Sequence, residues 1–301
     1  MSARVQVVAH RGSSGTFAEH TLSAYEAALD EGVDALECDV RLTRDRHLVC
    51  VHDRTVDRTS DGRGVVSTLE LAALSELDFG SRKGAPARTG REVPDGEAGR
   101  VLTLDRLLRL VLDAGRPVQL QVETKHPTRY GALVEVALVE LLSRYGLAEP
   151  PAQGAPTVAV LSYAPTSLRR IHALAPGLPT VLNMDRVPVR LRDGSLPARV
   201  SAAGIALPYV LRHPRCVERF HDRGGRVHVF TADDPEHIEL LLDLGVDAIV
   251  SNHPARVVRH LAQRGLQGPV LPTPRAPEAG MGNNGRLPDS PSRDRPGEGP
   301  P

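Results

Sequence analysis

The chain has 301 residues, with 37 basic and 37 acidic side chains, 3% aromatic residues and no Trp. Charge neutrality excludes the basic excess on which general nucleic-acid binders rely. There is no charged leader followed by an apolar stretch and no run of about 18 apolar residues, so the expectation is a cytoplasmic protein without a stable membrane anchor. Three cysteines at irregular spacing suit a reducing compartment better than a disulfide framework.

In chain order, short apolar, β-branched runs occur at 5–9, 35–40, 118–122, 158–161, 180–182, 204–207, 227–230 and 248–250. Helix-period patterns lie between them at 21–31, 104–114, 129–144, 166–175, 214–222 and 235–244. Strand and helix in alternation predict βα units around a parallel sheet, and eight units in about 260 residues predict a (β/α)8 TIM barrel. An open doubly wound sheet would call for a Gly-rich dinucleotide loop after the first strand, and none is present. The helix after the fifth run has the weakest pattern, because 187–196 contains Pro188 and Gly194. Residues 267–301 contain 15 Gly plus Pro, with four Arg against four acids, which reads as a disordered tail beyond a barrel domain at 1–266.

Two stretches depart from the alternation. Residues 41–53 follow the second strand too closely for a parallel crossover and predict a β-hairpin. A turn near Arg44–Arg46 would set His52 opposite Glu37 or Asp39, and Cys50 on the other face from Cys38, where a disulfide is not expected. Residues 55–101 are polar and Gly-rich with one short helical pattern at 69–77, and predict a small inserted segment over one end of the barrel.

The reactive residues fall at the C-terminal ends of the predicted strands, where such barrels carry their active sites. His10 and Arg11 follow the first strand, Glu37 and Asp39 end the second, and Glu123 and Lys125 end the third. Residues two apart point to one side of a strand. Three converging carboxylates repel unless a cation sits among them, and oxygen-only ligands favour Ca²⁺ or Mg²⁺ over zinc. His10 and His52 form a candidate acid/base pair, while Arg11 and Lys125 suit a phosphate. Lys83 and Lys125 are the only lysines in the chain. Together these groups point to an anionic phosphodiester substrate. His47, His172, His221, His237 and His260 read as surface residues, and His228 as a barrel-interior residue without a role.

The motifs A-H-R-G at 9–12, E-x-T at 19–21, E-x-D at 37–39, H-D at 52–53 and E-x-K at 123–125 resemble, in order and spacing, those of the glycerophosphodiester phosphodiesterase family. The resemblance spans about residues 5–255. It implies a TIM barrel that hydrolyses small-molecule glycerophosphodiesters, such as glycerophosphocholine or glycerophosphoethanolamine, to sn-glycerol 3-phosphate and an alcohol. It further implies that His10 and His52 exchange protons and that Glu37, Asp39 and Glu123 hold Ca²⁺ or Mg²⁺. Arg11 and Lys125 would contact the phosphate, Glu19 would orient the constellation and Phe230 would form an apolar substrate wall. The chain departs from the family pattern at His20, usually Asn, at Phe230–Asp233, usually W-T-x-N, and at Ser251–Asn252, usually T-D. Two other readings are a phospholipase-D-like hydrolase of lysophospholipids or sphingomyelin, and a silent phosphate-binding barrel. The first lacks an aromatic docking surface, and the second requires losses among the core residues that have not occurred.

Overall fold

The computed structural model describes residues 5–81, 97, 99–149 and 157–266. In chain order the strands are β1 (Gln6–His10), β2 (Ala35–Leu42), β3 (Leu48–Cys50), β4 (Gln119–Thr124), β5 (Thr157–Ser162), β6 (Thr180–Met184), β7 (Ala202–Ala206), β8 (Arg226–Phe230) and β9 (Ala248–Ser251). All except β3 pair in parallel, and β1 bonds to both β9 and β2, so eight strands close into a TIM barrel. Period-2 alternation sorts the strand residues. Val8, Ala35, Ala248 and Val250 fill one interior cluster and Ala159, Leu161, Val181 and Ala202 another. The alternate residues, such as Val7, Ala9, Leu36 and Val122, join the main core under the helices.

The helices are α1 (Leu22–Asp30), α2 (Leu71–Ser75), α3 (Leu104–Leu112), α4 (Leu133–Arg144), α5 (Pro165–Leu174), α6 (Leu207–Arg212), α7 (Arg215–Asp222), α8 (Pro235–Asp243) and α9 (Pro254–Gln263). Thr21 and Thr103 cap α1 and α3 by accepting from the Ala24 and Arg106 amides, and proline opens α5, α8 and α9. Neither α6 nor α9 was among the sequence expectations. After β6 the weak pattern yields only a 3₁₀ turn at Val189–Leu191, because Pro188 restricts the entry and Gly194 adopts a left-handed φ of 85°. No helix among the described residues is long and apolar enough to cross a membrane.

The expected hairpin forms, but its register is one residue away from either expected pairing. Thr43 and His47 flank a three-residue turn with Arg46 left-handed, so Val40 opposes Cys50 and Leu42 opposes Leu48. An odd turn reverses the face of each residue in the returning arm. Cys50 therefore lies in the same core cluster as Cys38, beside its thiol, and both are free. His52 is not paired across the ladder. It lies beyond the last strand residue, where the Val51 amide donates to the Asp39 carbonyl and the chain turns inward.

The inserted segment packs Val56, Val66, Leu74 and Phe79 onto Val49 and Val51 of the hairpin, forming a separate small core. The remainder of the expected insert and the tail at 267–301 lie outside the described residues.

Candidate active site

The barrel register brings the reactive side chains together. His10 pairs with Glu37 across β1 and β2, and Asp39 with Glu123 across β2 and β4. Oxygens of Glu37, Asp39 and Glu123 lie within 4.8 Å of one another, and all three residues are buried. Lys125 Nζ donates to Asp39 Oδ1 at 2.8 Å and to Glu123 Oε1 at 2.6 Å. Asn183 Nδ2 donates to Glu123 Oε2 at 3.0 Å, and the Arg11 amide to Glu37 Oε2 at 3.0 Å. The other Asp39 oxygen accepts from His20 Nε2 at 3.0 Å. Arg11 Nε lies 3.1 Å from that same oxygen without aiming its N–H along the line.

This crowding shifts the carboxyl groups apart. Burial first, then the Asp39 charge, raises Glu37 well above the ordinary carboxylate range, and the same two causes raise Glu123. Burial alone would raise Asp39 as well, but the His20 hydrogen bond and the Lys125 charge outweigh it and hold Asp39 well below that range. Two of the three acids are thus harder to ionise than a free carboxyl group, and added positive charge would favour their ionised form. An all-oxygen donor set of this size fits a hard divalent cation such as Ca²⁺ or Mg²⁺.

His10 is oriented by a relay. Asn252 donates through Nδ2 to Asp233 Oδ2 at 2.6 Å, which fixes the amide so that its Oδ1 faces His10 Nδ1 at 2.7 Å. His10 Nδ1 is therefore the donor, and Nε2 keeps its lone pair. Burial, reinforced by Arg11, lowers its pKa to about 4 and keeps the imidazole neutral near pH 7. His52 Nδ1 lies 2.7 Å from Asp53 Oδ1, and the His52 carbonyl accepts from Arg41 Nε and Nη2 at 3.0 and 2.8 Å. Burial also lowers the pKa of His52, against the opposing pull of Asp39.

A second chain of contacts joins the two histidine sides. Arg58 Nε donates to Asp53 Oδ2 at 2.6 Å, and its two terminal nitrogens donate to the two Glu19 oxygens at 2.7 Å each. Glu19 Oε1 also accepts from Arg11 Nη1 at 3.0 Å. Burial would raise Glu19, but Arg58 and Arg11 bring it down to about 2, so it is an ionised link between the two arginines. Gly12, the last residue of A-H-R-G, has φ 79°, and a Cβ there would sit 2.6 Å from the Ala24 backbone, so only glycine lets the loop seat on α1.

Eight of the nine expected site residues line one cavity of about 180 Å³, and Glu19 lies behind Arg11. Phe230 forms its apolar wall, edge-on to Tyr163 with ring centroids 6.1 Å apart. His228 lines the same cavity, and burial lowers its pKa to about 4. His172, expected at the surface, is buried against the Thr180 hydroxyl at 3.0 Å, because α5 turns that face onto the barrel. Sequence reasoning missed His20, Arg58, Asn183 and the Asn252–Asp233 relay. Asn183 had a usable signal, being an inward-facing polar residue two after Val181. Arg58 had none, because Glu19, which both its terminal nitrogens grip, lies 39 positions away.

The model of the glycerophosphoryl diester phosphodiesterase family matches residues 10–256. This chain belongs to that family. The "Probable glycerophosphodiester phosphodiesterase 1" of Mycobacterium tuberculosis (strain CDC 1551 / Oshkosh) is 46% identical over 253 residues, covering 83% of this chain and 90% of that protein. The glycerophosphodiester phosphodiesterase of Bacillus subtilis (strain 168) is 31% identical over 260 residues, covering 83% and 84%. Among solved structures, a phosphodiesterase of Oleispira antarctica in complex with the product sn-glycerol-3-phosphate superposes with a TM-score of 0.71 at 26% identity, covering 86% of this chain and 97% of that one. Like its relatives, this glycerophosphodiester phosphodiesterase family member is an enzyme, a phosphoric diester hydrolase.

Proposed function

We propose that the enzyme hydrolyses glycerophosphodiesters such as glycerophosphocholine and glycerophosphoethanolamine to sn-glycerol 3-phosphate and the free alcohol. Glu37, Asp39 and Glu123 would hold Ca²⁺ or Mg²⁺, and His10 and His52 would move the protons. The observation that carries this reading is the pair of imidazoles, each with Nδ1 committed to an orienting partner, flanking one buried three-carboxylate cluster.

When bound, the divalent ion supplies positive charge to the phosphoryl oxygens and lowers the pKa of an attacking hydroxyl. Arg11 and Lys125 neutralise the charge that grows on the non-bridging oxygens as phosphorus becomes pentacoordinate. Neutral His10 accepts through Nε2 the proton of the attacking hydroxyl while the new P–O bond forms. His52, hydrogen-bonded to Asp53, would in its protonated form give its proton to the leaving oxygen as the old P–O bond breaks. Glu19 keeps Arg11 aimed at the phosphate, and Phe230 with Tyr163 walls the glycerol carbons.

Charge bookkeeping supports the same assignment. Three carboxylates, Arg11, Lys125, one divalent ion and one phosphodiester sum to zero, as do protonated His52, Asp53, Arg58 and Glu19, so the loaded site carries no net charge. Release of sn-glycerol 3-phosphate from a panel of glycerophosphodiesters, followed by a coupled assay, should stop in excess EDTA and return with Ca²⁺ or Mg²⁺. Full activity in excess EDTA would remove the metal from the reaction. No release from any member of the panel would remove the substrate class.

A further inference from the structure

A second cavity, of about 450 Å³, adjoins the catalytic one and shares Lys125 with it. Arg41 of the hairpin, Arg54 just after it, Ser67 of the inserted segment, and Arg129 and Tyr130 of the loop after β4 wall it. The Tyr130 hydroxyl donates to the Ser67 carbonyl at 2.8 Å and ties the two sides together, and the Arg129 guanidinium sits 5.8 Å from the Tyr130 ring centre. Among the described residues, four cationic side chains line this cavity and no acidic one does.

That imbalance is local. The chain as a whole carries as many acids as bases, and Arg11, Arg58, Arg106, Arg109 and Arg264 all sit on carboxylates. Among the described residues, Arg41, Arg54 and Arg129 make no ion pair. Lys125 is paired with Asp39 and Glu123, but three cations gathered around a concavity without ion-pair partners repel one another and raise the local concentration of anions. The cavity also lies on the His52 side of the site, since the same Arg41 that lines it holds the His52 carbonyl. His52 is the group assigned above to the leaving oxygen, so a departing alcohol would extend towards this cavity.

We infer that the cavity is the leaving-group subsite and that it selects an anionic alcohol, one carrying a second phosphate. This inference rests on the glycerophosphodiesterase reading and narrows its substrate class. A trimethylammonium head group would meet three unpaired like charges there, whereas a phosphate would meet the planar forks of Arg54 and Arg129.

Three esters that share the glycerol 3-phosphate half test it: bis(glycerophospho)glycerol, glycerophosphoglycerol and glycerophosphocholine. The first exceeds the second by one glycerophosphate unit, whose phosphate carries the extra charge. The kcat/KM for bis(glycerophospho)glycerol should exceed that for glycerophosphoglycerol by about tenfold or more, beyond the twofold its two equivalent ester bonds provide, as expected for charge-assisted contacts. The gain should lie in KM and shrink as ionic strength rises from about 0.05 to about 0.5 M. Glycerophosphocholine should be the poorest of the three. The double variant R54Q/R129Q should bring the ratio close to two at an unchanged melting temperature, and R54K/R129K should keep most of the preference. A wild-type ratio of two or less, or a ratio unchanged in R54Q/R129Q, would overturn the subsite. Turnover of all three esters without preference would overturn this inference alone, whereas turnover of none would overturn the activity reading with it.

Discussion

At the residue scale, the site is a set of side chains whose orientation is settled by neighbours rather than by their own backbone. His10 presents Nε2 because Asn252 occupies Nδ1, and Asn252 faces the right way because Asp233 takes its amide hydrogens. If both imidazoles transfer protons, His10→Ala and His52→Ala should each lower kcat by about 10² to 10⁴, and steady-state assays showing activity within twofold of wild type would remove that residue from the mechanism. His20 bridges Asp39 and the Tyr25 hydroxyl, at 3.0 and 2.8 Å, from a left-handed backbone with φ 61°. His20→Ala should lower activity and metal affinity by about 10- to 100-fold, the usual cost of losing a group that orients a ligand. His20→Asn should retain much more of both, because asparagine tolerates that backbone region and can still donate towards Asp39. Metal titrations of the two variants provide the check. The motif residues were legible in the sequence because each stands at a strand end beside a second reactive group. His20 was visible only as a departure from a pattern, since its function depends on Asp39, 19 positions away.

At the element scale, strand alternation and register turn these residues into one site. Neighbouring strands bring Glu37, Asp39 and Glu123 within 4.8 Å because β2 lies between β1 and β4 in the barrel. Gly204 on β7 contributes by having no side chain: it pairs with Asn183 on β6, and a Cβ at 204 would lie 2.1 Å from Asn183 Oδ1. Gly204→Ala should push Asn183 off Glu123, cost about 1–3 kcal/mol in thermal unfolding and weaken the metal dependence of activity. An unchanged melting temperature and metal titration would show that Asn183 can move aside freely. Strand positions could be read from the β-branched runs, but the hairpin register could not. A turn of three residues rather than two or four shifts every pairing by one, and polar turn sequences of those lengths look alike.

At the scale of the whole molecule, the helical shell is fastened to the barrel by buried charges as well as by apolar packing. Glu135 on α4 is fully buried, accepts from His126 at 3.0 Å and from Arg170 on α5 at 3.3 Å, and so joins two helices to the loop after β4. Burial would raise its pKa, but the hydrogen bonds from His126 and Ser167 lower it to about 2 from an ordinary 4.5. Its stabilisation is therefore complete above about pH 4.5 and is lost as the pH falls towards 2. Glu135→Gln should cost up to about 3 kcal/mol at neutral pH and flatten the acid limb of stability against pH. Denaturant unfolding from pH 7 to 3 measures both, and parallel curves for wild type and variant would rule the contribution out. By itself, the amino-acid sequence determined the eight strands, the barrel class and which strand-end residues gather at the candidate site. Hydrophobic period and strand-end position are local properties, readable along the chain. Only the tertiary structure decided which polar groups share a proton or a charge: Asn252 and Asp233 with His10, Arg58 with both Glu19 and Asp53, and the four cations around the second cavity. Those pairings depend on distances of a few ångströms between segments up to 242 residues apart, and such distances exist only after the barrel has closed.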